Sequence, residues 1–364
     1  MNDKEQKFIM MIGLPASGKS TVAKELQKQC KDCVIISSDT LRKELFGDEN
    51  DQSDNERVFK TFYKRVHQAL SEGKSVITDA TFINFKKRVG ILDIAKRFPC
   101  KKEACLILKD VADCIRDDKR RERCVEAEVI YKFLKSFGVP FTEEGFDEIH
   151  LVHATKNSPD KEFLNKTWRE MTQLFQKNLH HNHLLSTHCA DTAELFERFD
   201  YGPAYKLAAK FHDVGKLFTV TTADDGRQHY YSHENVGAYY LLCHAEDIKA
   251  ATGFTDRDIL NMAFLVNYHM MPLKWKESEK SKKKWERRFG MEKTQLIKDF
   301  NSCDKSRELE ITRTVSGMTE SEKEAFVQGI EFTIDYGYFP AEEDYQLYLA
   351  IIRERAEKEA ECRE

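Results

Sequence analysis

The sequence contains no long hydrophobic run and no strong excess of charge of one sign. No apolar stretch in its 364 residues approaches the ~18 residues that a membrane-spanning helix needs. Lys and Arg number 58 against 62 Asp and Glu, a formal net charge of −4. This balance excludes a basic coat for indiscriminate nucleic-acid binding but permits a local basic patch. The charged N-terminus lacks the features of a secretory signal, so we expect a soluble, cytoplasmic protein.

Cysteine is too sparse to define the fold. Ten cysteines are few for a disulfide scaffold in a chain of this length, and a cytosolic protein keeps them as thiols. Cys30 and Cys33 have C-x-x-C spacing, but no second pair follows at the distance of a zinc ribbon. We therefore predict that they are buried thiols at the start of a core strand.

Length and hydrophobic pattern divide the chain. At ~150 residues per domain, a chain of 364 residues favours two domains. Short apolar runs separated by helix-length stretches are typical of βαβ units with a parallel sheet, and later residues repeat at helical spacing. We predict an α/β domain over 1–155 with a parallel sheet and helices on both faces, a linker over 156–175, an all-α domain over 176–318, and a helical C-terminal extension over 319–364.

Residues 13–21 have the pattern of a phosphate-binding loop. They satisfy G-x-x-x-x-G-K-S between an apolar run and a helical pattern, which is the context that the motif requires. Glycines let backbone N–H groups surround a phosphate, while Lys19 suits the β- and γ-phosphates and the Ser20 hydroxyl suits Mg²⁺. We predict that ATP, or another nucleoside triphosphate, binds with Mg²⁺ to Gly13, Leu14, Pro15, Ala16, Ser17, Gly18, Lys19, Ser20 and Thr21.

Acidic residues follow two other predicted strands, at the sheet edge where ligands bind in open parallel sheets. Asp39 follows the second strand, with Arg42 one helical turn away, and Asp79 ends the third. Asp39 could accept the proton of an attacking hydroxyl, Arg42 could orient the acceptor, and Asp79 could lie near the metal. Alternatively, Asp39 caps a helix and Arg42 is a surface residue.

These features resemble the kinase domain of the P-loop polynucleotide 5′-hydroxyl kinases over roughly residues 7–155. The similar segments are GLPASGKST, SSDTLR, VITDAT with the following Asn84 and KKR, and an arginine-rich segment (Arg116, Arg120, Arg121, Arg123) before VEAEVI. The resemblance implies roles for Lys19, Ser20, Asp39 as general base, Arg42 as acceptor-phosphate contact, and a lid arginine that maps best to Arg121. A solvated basic helix face is the alternative for that segment. Small-molecule kinases of related architecture share the acid after the second strand, which leaves the acceptor open.

The C-terminal half contains an ordered set of metal-ligating residue types. Imidazole and carboxylate groups suit catalytic transition metals, and adjacent His212 and Asp213 can address one metal centre. The set resembles the H…HD…H…H…D pattern of HD-superfamily phosphohydrolases over about residues 176–310. Its members are His188, His212, Asp213, His233, His269 and Asp304.

The HD resemblance implies one or two divalent transition metals, with Asp213 as the bridge that generates the attacking hydroxide. Lys216, one turn after Asp213, either meets a substrate phosphate or is an ordinary helix-end lysine. Five further histidines have no counterpart in the pattern, and we expect them on the surface or in helix packing: His180, His181, His183, His229 and His244.

A basic segment follows His269. Residues 274–288 carry eight basic and three acidic residues, a net +5, with Trp275 and Trp285 between them. Concentrated positive charge suits a phosphodiester backbone, and tryptophan faces can stack on unpaired bases. A solvated loop is the alternative, but the position directly after a proposed metal ligand favours substrate contact.

Two modules with opposite phosphate chemistry suggest one substrate that needs both, a broken nucleic-acid strand. We predict a bifunctional end-healing enzyme in which a 5′-OH polynucleotide kinase precedes an HD-type phosphatase for 2′,3′-cyclic, 2′- or 3′-phosphate ends. The predicted partners are RNA or DNA strand ends and a ligase that acts downstream, without a membrane. Two alternatives stay open: a nucleoside or small-molecule kinase fused to an HD nucleotide phosphohydrolase, and a nucleotide-binding regulatory protein with a sensory HD domain.

Overall fold

A five-stranded parallel sheet organises the N-terminal half, in the order β2-β3-β1-β4-β5. The structure, a computed structural model, describes residues 5–30, 32–121, 124–155, 158–176, 184–223, 226–275, 278–305, 314–335, 340 and 342–361. The strands are β1 (Lys7–Ile12), β2 (Cys33–Ser37), β3 (Ser75–Asp79), β4 (Lys101–Leu108) and β5 (Glu148–His153). The helices are α1 (Lys19–Gln29), α2 (Ser38–Phe46), α3 (Asn55–Ser71), α4 (Phe85–Ala95), α5 (Val111–Asp118) and α6 (Ala127–Lys135). The predicted parallel sheet is confirmed.

The side chains of β1 alternate between two buried faces. Phe8, Met10 and Ile12 belong to one apolar cluster with residues of α3 and α4. Ile9 and Met11 belong to another cluster with residues of α1. Because successive side chains of a strand point to opposite faces of the sheet, helices cover both faces, as the continuous apolar runs predict.

Helices dominate the C-terminal half, as predicted, with one small departure. They are α7 (Phe163–Met171), α8 (Leu185–Phe196), α9 (Pro203–Phe211), α10 (Lys216–Thr219), α11 (His233–Cys243), α12 (Ala245–Thr252), α13 (Asp256–Tyr268) and α14 (Glu279–Asp304). Between α10 and α11, β6 (Thr221–Thr222) and β7 (Gln228–His229) form an antiparallel hairpin. Strands of two residues are too short to produce a period in the sequence.

Helix α7 lies inside the segment interpreted as a linker, residues 156–175. Phe163, Thr167 and Met171 recur every four residues and are buried. The Phe163 ring stacks on His244 of the C-terminal half, with centroids 4.2 Å apart. In the sequence a polar stretch precedes these three residues, and together the two features resemble a linker. Residues 163–171 are packed against the helical core, while the domain limits stay predictions.

The last part of the chain forms two helices, Glu320–Asp335 and Glu342–Glu361. Val315, Val327 and Ile351 form a separate apolar cluster between them. Lys323 Nζ lies 2.6 Å from Glu354 Oε2 and ties the helices together. None of the helices in the described part of the chain is long and apolar enough to cross a membrane.

The two halves share one apolar core and several buried hydrogen bonds. Asn267 Oδ1 accepts from the backbone N–H of Val139 at 2.9 Å, and the Tyr268 hydroxyl donates to the Val139 carbonyl at 2.9 Å. Asn235 Nδ2 donates to the carbonyl oxygen of Lys135 at 2.6 Å. The largest cluster of buried apolar residues contains members of both halves. The helical half is therefore packed directly on the segment that follows α6.

A buried ion pair between Arg88 and Glu144 also stabilises the segment that follows α6. The Arg88 guanidinium donates to both Glu144 oxygens, at 2.7 and 2.6 Å, and neither side chain is exposed to solvent. Arg88 also donates to the carbonyl oxygens of Phe82 (3.2 Å) and Gly138 (2.9 Å). Removal of one partner of such a pair leaves an uncompensated charge in the interior.

We expect Arg88→Met to lower the free energy of unfolding by about 3–5 kcal/mol, because it leaves the Glu144 carboxylate buried and unpaired. The matched control is Arg65→Met, which breaks a pair with Glu44 in which both side chains are more than 40% exposed. Exposed pairs contribute about 0–1 kcal/mol. Urea unfolding of both variants measures the difference, and equal losses would contradict a special role for the Arg88–Glu144 pair.

Candidate functional site

The predicted phosphate-binding loop connects β1 to α1 through backbone conformations that need glycine. Gly18 has a φ of 97°, in the left-handed region. A Cβ on Gly13 would lie 2.8 Å from the carbonyl oxygen of Ile107 on the neighbouring strand β4. Ala16 has a φ of 59°, and backbone strain at a non-glycine residue concentrates at functional sites. Residues 13–18 therefore form a tight turn between the carboxyl end of β1 and the start of α1.

Lys19 and Ser20 begin α1 at this edge of the sheet. Lys19 Nζ donates to the carbonyl oxygens of Gly13 (3.1 Å) and Leu14 (2.7 Å). Burial lowers the pKa of Lys19, and the nearby Asp79 carboxylate opposes that effect. Ser20 Oγ donates to Asp79 Oδ2 at 2.7 Å. A hydroxyl and a carboxylate beside a phosphate-binding loop are oxygen ligands suited to Mg²⁺, so Ser20 and Asp79 fit the predicted metal role.

Asp39 and Arg42 lie on α2 at the same edge. Ser37 is paired with Asp79 in the sheet, so Asp39, two residues later, is close to the carboxyl end of β3. Arg42 Nη1 donates to Asp39 Oδ1 at 3.0 Å, and Nη2 donates to Asn55 Oδ1 at 2.9 Å. Ser37, not Asp39, precedes the helix, and Arg42 is buried. Neither the helix-cap nor the surface alternative describes this geometry.

Arg121 is the arginine of the predicted lid that lies near the phosphate-binding loop. Burial is the main cause of the lowered pKa of Lys19, and the positive charge of Arg121 lowers it further. Arg116, Arg120 and Arg121 are all exposed, and each pairs with an aspartate of α5. Arg123 lies outside the described residues. Among the described arginines of this segment, Arg121 is the one whose charge is among the causes of the Lys19 pKa shift, and its role as the lid arginine stays a prediction.

A second lysine contacts the loop although the motif does not include it. Lys109 Nζ donates to the carbonyl oxygen of Ala16 at 3.3 Å and forms an ion pair with Asp117. Lys109 directly follows β4, and this position at the carboxyl edge of the sheet is the signal by which it could be found. The Lys109 carbonyl accepts from the Tyr239 hydroxyl of α11 at 2.9 Å, which links the loop to the helical half.

The second site is a buried cluster centred on Asp213, which lies between α9 and α10. Asp213 Oδ1 is 3.0 Å from Nε2 of His233 and 3.6 Å from Nε2 of His269. Asp213 Oδ2 is 3.4 Å from Nε2 of His212 and 3.5 Å from Nε2 of His188. The two oxygens of one carboxylate therefore face two different pairs of imidazoles.

Asp304, the last residue of α14, completes one of these groups. Its Oδ1 lies 3.0 Å from His188 Nε2 and 3.3 Å from His212 Nε2. All six predicted ligands are thus brought together, and the donor set fits two metal ions that share Asp213. Within each group the ligand atoms lie within 4.8 Å of one another; the groups are His188, His212 and Asp304, and Asp213, His233 and His269.

Backbone carbonyls orient three of the imidazoles. In His212, His233 and His269, Nδ1 lies 2.9, 2.8 and 2.7 Å from the carbonyl oxygen three residues earlier in the chain. A carbonyl only accepts hydrogen bonds, so Nδ1 carries a proton in each of these rings, and whenever a ring is neutral its Nε2 lone pair is directed at the cluster. Metal-binding histidines are commonly oriented in this way.

Burial and opposite charges set the ionisation of the cluster. Burial opposes ionisation of Asp213, but Lys216 and His212 outweigh it and hold the pKa of the carboxyl well below its usual value. For Asp304 burial acts the same way, and hydrogen bonds from the neighbouring imidazoles hold its pKa well below the usual value. Burial also lowers the pKa of His269, which favours the neutral ring, whereas for His212 the Asp213 carboxylate outweighs burial and holds the pKa well above its usual value. Anionic carboxylates and neutral imidazoles are the forms that bind metals.

Lys216 lies within this cluster and not on the surface. Its Nζ is 2.6 Å from Asp213 Oδ2 and donates to Gln176 Oε1 at 2.8 Å. Lys216 and Gln176 are both buried. Gln176 is absent from the predicted site because no motif marks it. A lone glutamine 40 residues before its partner cannot be distinguished from any other polar residue.

The remaining predicted residues have structural roles where they are described. His229 stacks on a tyrosine, and His244 bonds an aspartate and packs on α7. Cys33 is buried, Cys30 is half-buried, and both are free thiols. Three predicted surface or packing histidines lie outside the described residues: His180, His181 and His183.

The interpretation of residues 274–288 as a base-stacking surface is corrected by the side-chain packing. Trp285 is buried and stacks on Trp275 and Phe289, with centroid distances of 5.5 and 6.0 Å. Arg288 lies over the Phe289 ring, 4.7 Å from its centroid. The face assigned to a nucleobase on Trp285 is therefore occupied by neighbouring rings, because burial of large aromatic surface is strongly favourable. Exposed positive charge persists at Lys280, Lys282, Lys283 and Lys284.

Comparisons with known proteins agree with the N-terminal architecture. Residues 8–140, which contain the phosphate-binding loop and β1 to β4, match a family model described as an AAA domain. No curated protein sequence matches the chain. The N-terminal half is thus similar to an AAA domain and has a parallel sheet with helices on both faces, followed by a helix-rich region.

Several solved structures are similar to part of the chain. A chain of the Pnkp1/Rnl/Hen1 RNA repair complex is 23% identical, with 36% of this chain and 44% of that chain covered and a TM-score of 0.33. A sugar kinase from a Janibacter species is 12% identical, with 42% and 87% covered and a TM-score of 0.32. A gluconokinase from Sinorhizobium meliloti is 14% identical, with 42% and 86% covered and a TM-score of 0.32. The match spans less than half the length of the RNA repair chain.

Proposed function

We propose that the protein is a bifunctional end-healing enzyme for broken nucleic-acid strands. Its N-terminal half would phosphorylate 5′-OH ends with ATP, and its helical half would remove 2′,3′-cyclic, 2′- or 3′-phosphate ends. The observation that carries the proposal is that one shared core holds both a phosphate-binding loop with an acid–arginine pair and a buried cluster in which Asp213 faces two imidazole pairs. A strand break is a single substrate that requires both reactions.

In the proposed kinase reaction, the loop and Lys19 hold the nucleotide and Ser20 helps to hold Mg²⁺. Asp39 accepts the proton of the attacking 5′-hydroxyl as the phosphoryl group is transferred. Arg42 is buried and bonded to Asp39 at 3.0 Å, so it holds the carboxylate and can contact the acceptor phosphate. Arg121 is exposed near the loop, where it can approach the transferring group.

In the proposed phosphatase reaction, the two groups of ligands would each hold one divalent ion, with Asp213 shared between them. Such ions, when bound, supply positive charge that polarises a phosphoryl group and activates water. The backbone bonds at Nδ1 keep the imidazoles in place and keep Nε2 available. Lys216 adds a buried positive charge next to Asp213, in a position to meet a phosphoryl oxygen.

The kinase assignment predicts transfer of γ-labelled phosphate from ATP to a 5′-OH oligonucleotide. Asp39→Asn removes the proton acceptor and should lower the rate by about 10²–10⁴-fold, while ATP binding by calorimetry is retained. Asp51→Asn, at a half-buried loop residue outside the site, is the matched control. Label found only on free nucleosides or sugars would contradict a polynucleotide acceptor, and full transfer by Asp39→Asn would exclude Asp39 as the base.

The shared carboxylate predicts a specific loss of metal. Two ions per chain are expected in the protein, measured by inductively coupled plasma mass spectrometry after dialysis. Asp213→Ala should lose both ions and the release of phosphate from 3′-phosphate ends, because both groups depend on this residue. His269→Ala should lose one ion, and His229→Ala, outside the cluster, should lose none.

Kinase activity measured on the same samples is the control for folding. Asp213→Ala should keep the wild-type kinase rate. Retention of both ions by Asp213→Ala would contradict the bridging position, whereas loss of the kinase would show that the variant is misfolded.

A further inference from the structure

Gln176 is a fully buried side chain beside the Asp213 cluster that none of the motifs includes. Its backbone position is fixed by a β-bridge between Phe175 and Leu184 and by a hydrogen bond from Leu185 N–H to the Leu174 carbonyl at 2.9 Å. Leu185 begins α8, the helix that carries His188. Gln176 is therefore anchored to one of the elements that build the cluster.

The orientation of the Gln176 amide follows from its partner. Lys216 Nζ lies 2.8 Å from Gln176 Oε1 and 2.6 Å from Asp213 Oδ2. An ammonium group only donates hydrogen bonds, so the amide oxygen must face it and the amide nitrogen must face elsewhere. Within the described part of the chain, Gln176 Nε2 is buried and has no acceptor. The ammonium itself carries three donors, and the two contacts account for two of them.

Gln176 Nε2 and Lys216 Nζ therefore lie beside the proposed metal ligands, and each can donate one more hydrogen bond to an acceptor. Buried donors without acceptors are costly and rare, and they persist where a ligand completes the set. The neighbouring groups suggest which ligand. The cluster is the proposed site of phosphate release, and a phosphoryl group offers several oxygens that accept from both an ammonium and an amide.

We propose that Gln176 Nε2 and Lys216 Nζ form a binding site for a phosphoryl oxygen of the substrate, and that this site favours dianionic phosphomonoester ends over monoanionic cyclic diesters. The proposal rests on the proposed phosphatase function. Gln176 is neutral, so it positions Lys216 without cancelling its charge. The attraction of that charge for a dianion is about twice its attraction for a monoanion at the same distance.

Two substitutions separate charge from hydrogen bonding. Gln176→Glu places a second carboxylate next to Lys216, in addition to Asp213, and this negative charge repels a phosphate, so kcat/KM for a 3′-phosphate end should fall by about 10- to 100-fold, the size of one charge-assisted hydrogen bond. A 2′,3′-cyclic phosphate is a monoanion, so the free energy of its electrostatic interaction is about half as large. For this end kcat/KM should therefore fall by about 3- to 10-fold. Gln176→Met removes only the amide, so KM for both ends should rise by about 2- to 10-fold with kcat unchanged.

The assays use the metal-containing full-length protein at about pH 8, where the monoester is a dianion. Gln173→Glu, at an exposed position three residues earlier, is the matched control and should behave as wild type. Calorimetric titration with inorganic phosphate provides a readout that does not need turnover, and its affinity should fall by about 10- to 100-fold in Gln176→Glu. Metal content should be unchanged in Gln176→Met.

The outcomes distinguish the two proposals. If wild type hydrolyses neither end, the proposed phosphatase function is wrong, and the phosphate titration alone then decides whether this site exists. If wild type hydrolyses the ends but Gln176→Glu lowers both reactions equally and binds phosphate as wild type does, the phosphoryl site is overturned. Loss of metal from Gln176→Met would also overturn it, because Gln176 would then support the metal cluster and not the substrate.

Discussion

The Asp213 carboxylate, shared between two pairs of buried imidazoles, is the interaction on which the helical half depends. Its two oxygens face imidazoles on both sides, so α8, α11 and the end of α13 converge on the junction of α9 and α10. Helix α14 adds Asp304 next to His188 and His212. Burial alone would favour the neutral acid, and the surrounding cations keep it ionised. Lys216 is one of these cations, and Gln176 holds it in place. Each neighbour of the carboxylate therefore supports both the geometry and the charge that metal binding requires.

The two candidate sites lie in one connected core, although they resemble two different families. Asn235 donates to the last carbonyl of α6, while in the segment after α6 Val139 donates its N–H to Asn267 and accepts from the Tyr268 hydroxyl. These three residues lie close in the sequence to the ligands His233 and His269. Lys109, which follows β4, connects the two halves. Its carbonyl oxygen accepts a hydrogen bond from α11, and its side chain donates one to the phosphate-binding loop. The two sites are thus connected by packed and hydrogen-bonded groups. This arrangement suits a protein that handles two ends of one strand.

Local signals in the sequence predict the sheet, the loop and the six ligands, because each depends on short motifs or on continuous apolar runs. Other features depend on distant contacts. Gln176 and Lys109 meet partners 40 and 93 residues away, so their positions follow only from the folded chain. Trp285 is buried although its neighbours in sequence are charged, because the rings of Trp275 and Phe289 stack on it. Composition around a tryptophan does not determine which face is exposed. Helix α7 is likewise not predicted from the sequence, because its single apolar stripe follows a polar stretch.

The most direct test of a strand-healing enzyme is one RNA oligonucleotide with a 5′-hydroxyl and a 3′-phosphate, incubated with the protein, ATP, Mg²⁺ and Mn²⁺. Mass spectrometry of the intact strand reports both ends of the same molecule. The structure-based account predicts a product that has gained a phosphate at the 5′ end and lost the phosphate at the 3′ end. A strand unchanged at both ends, in a preparation that binds ATP and retains its metals, would contradict it.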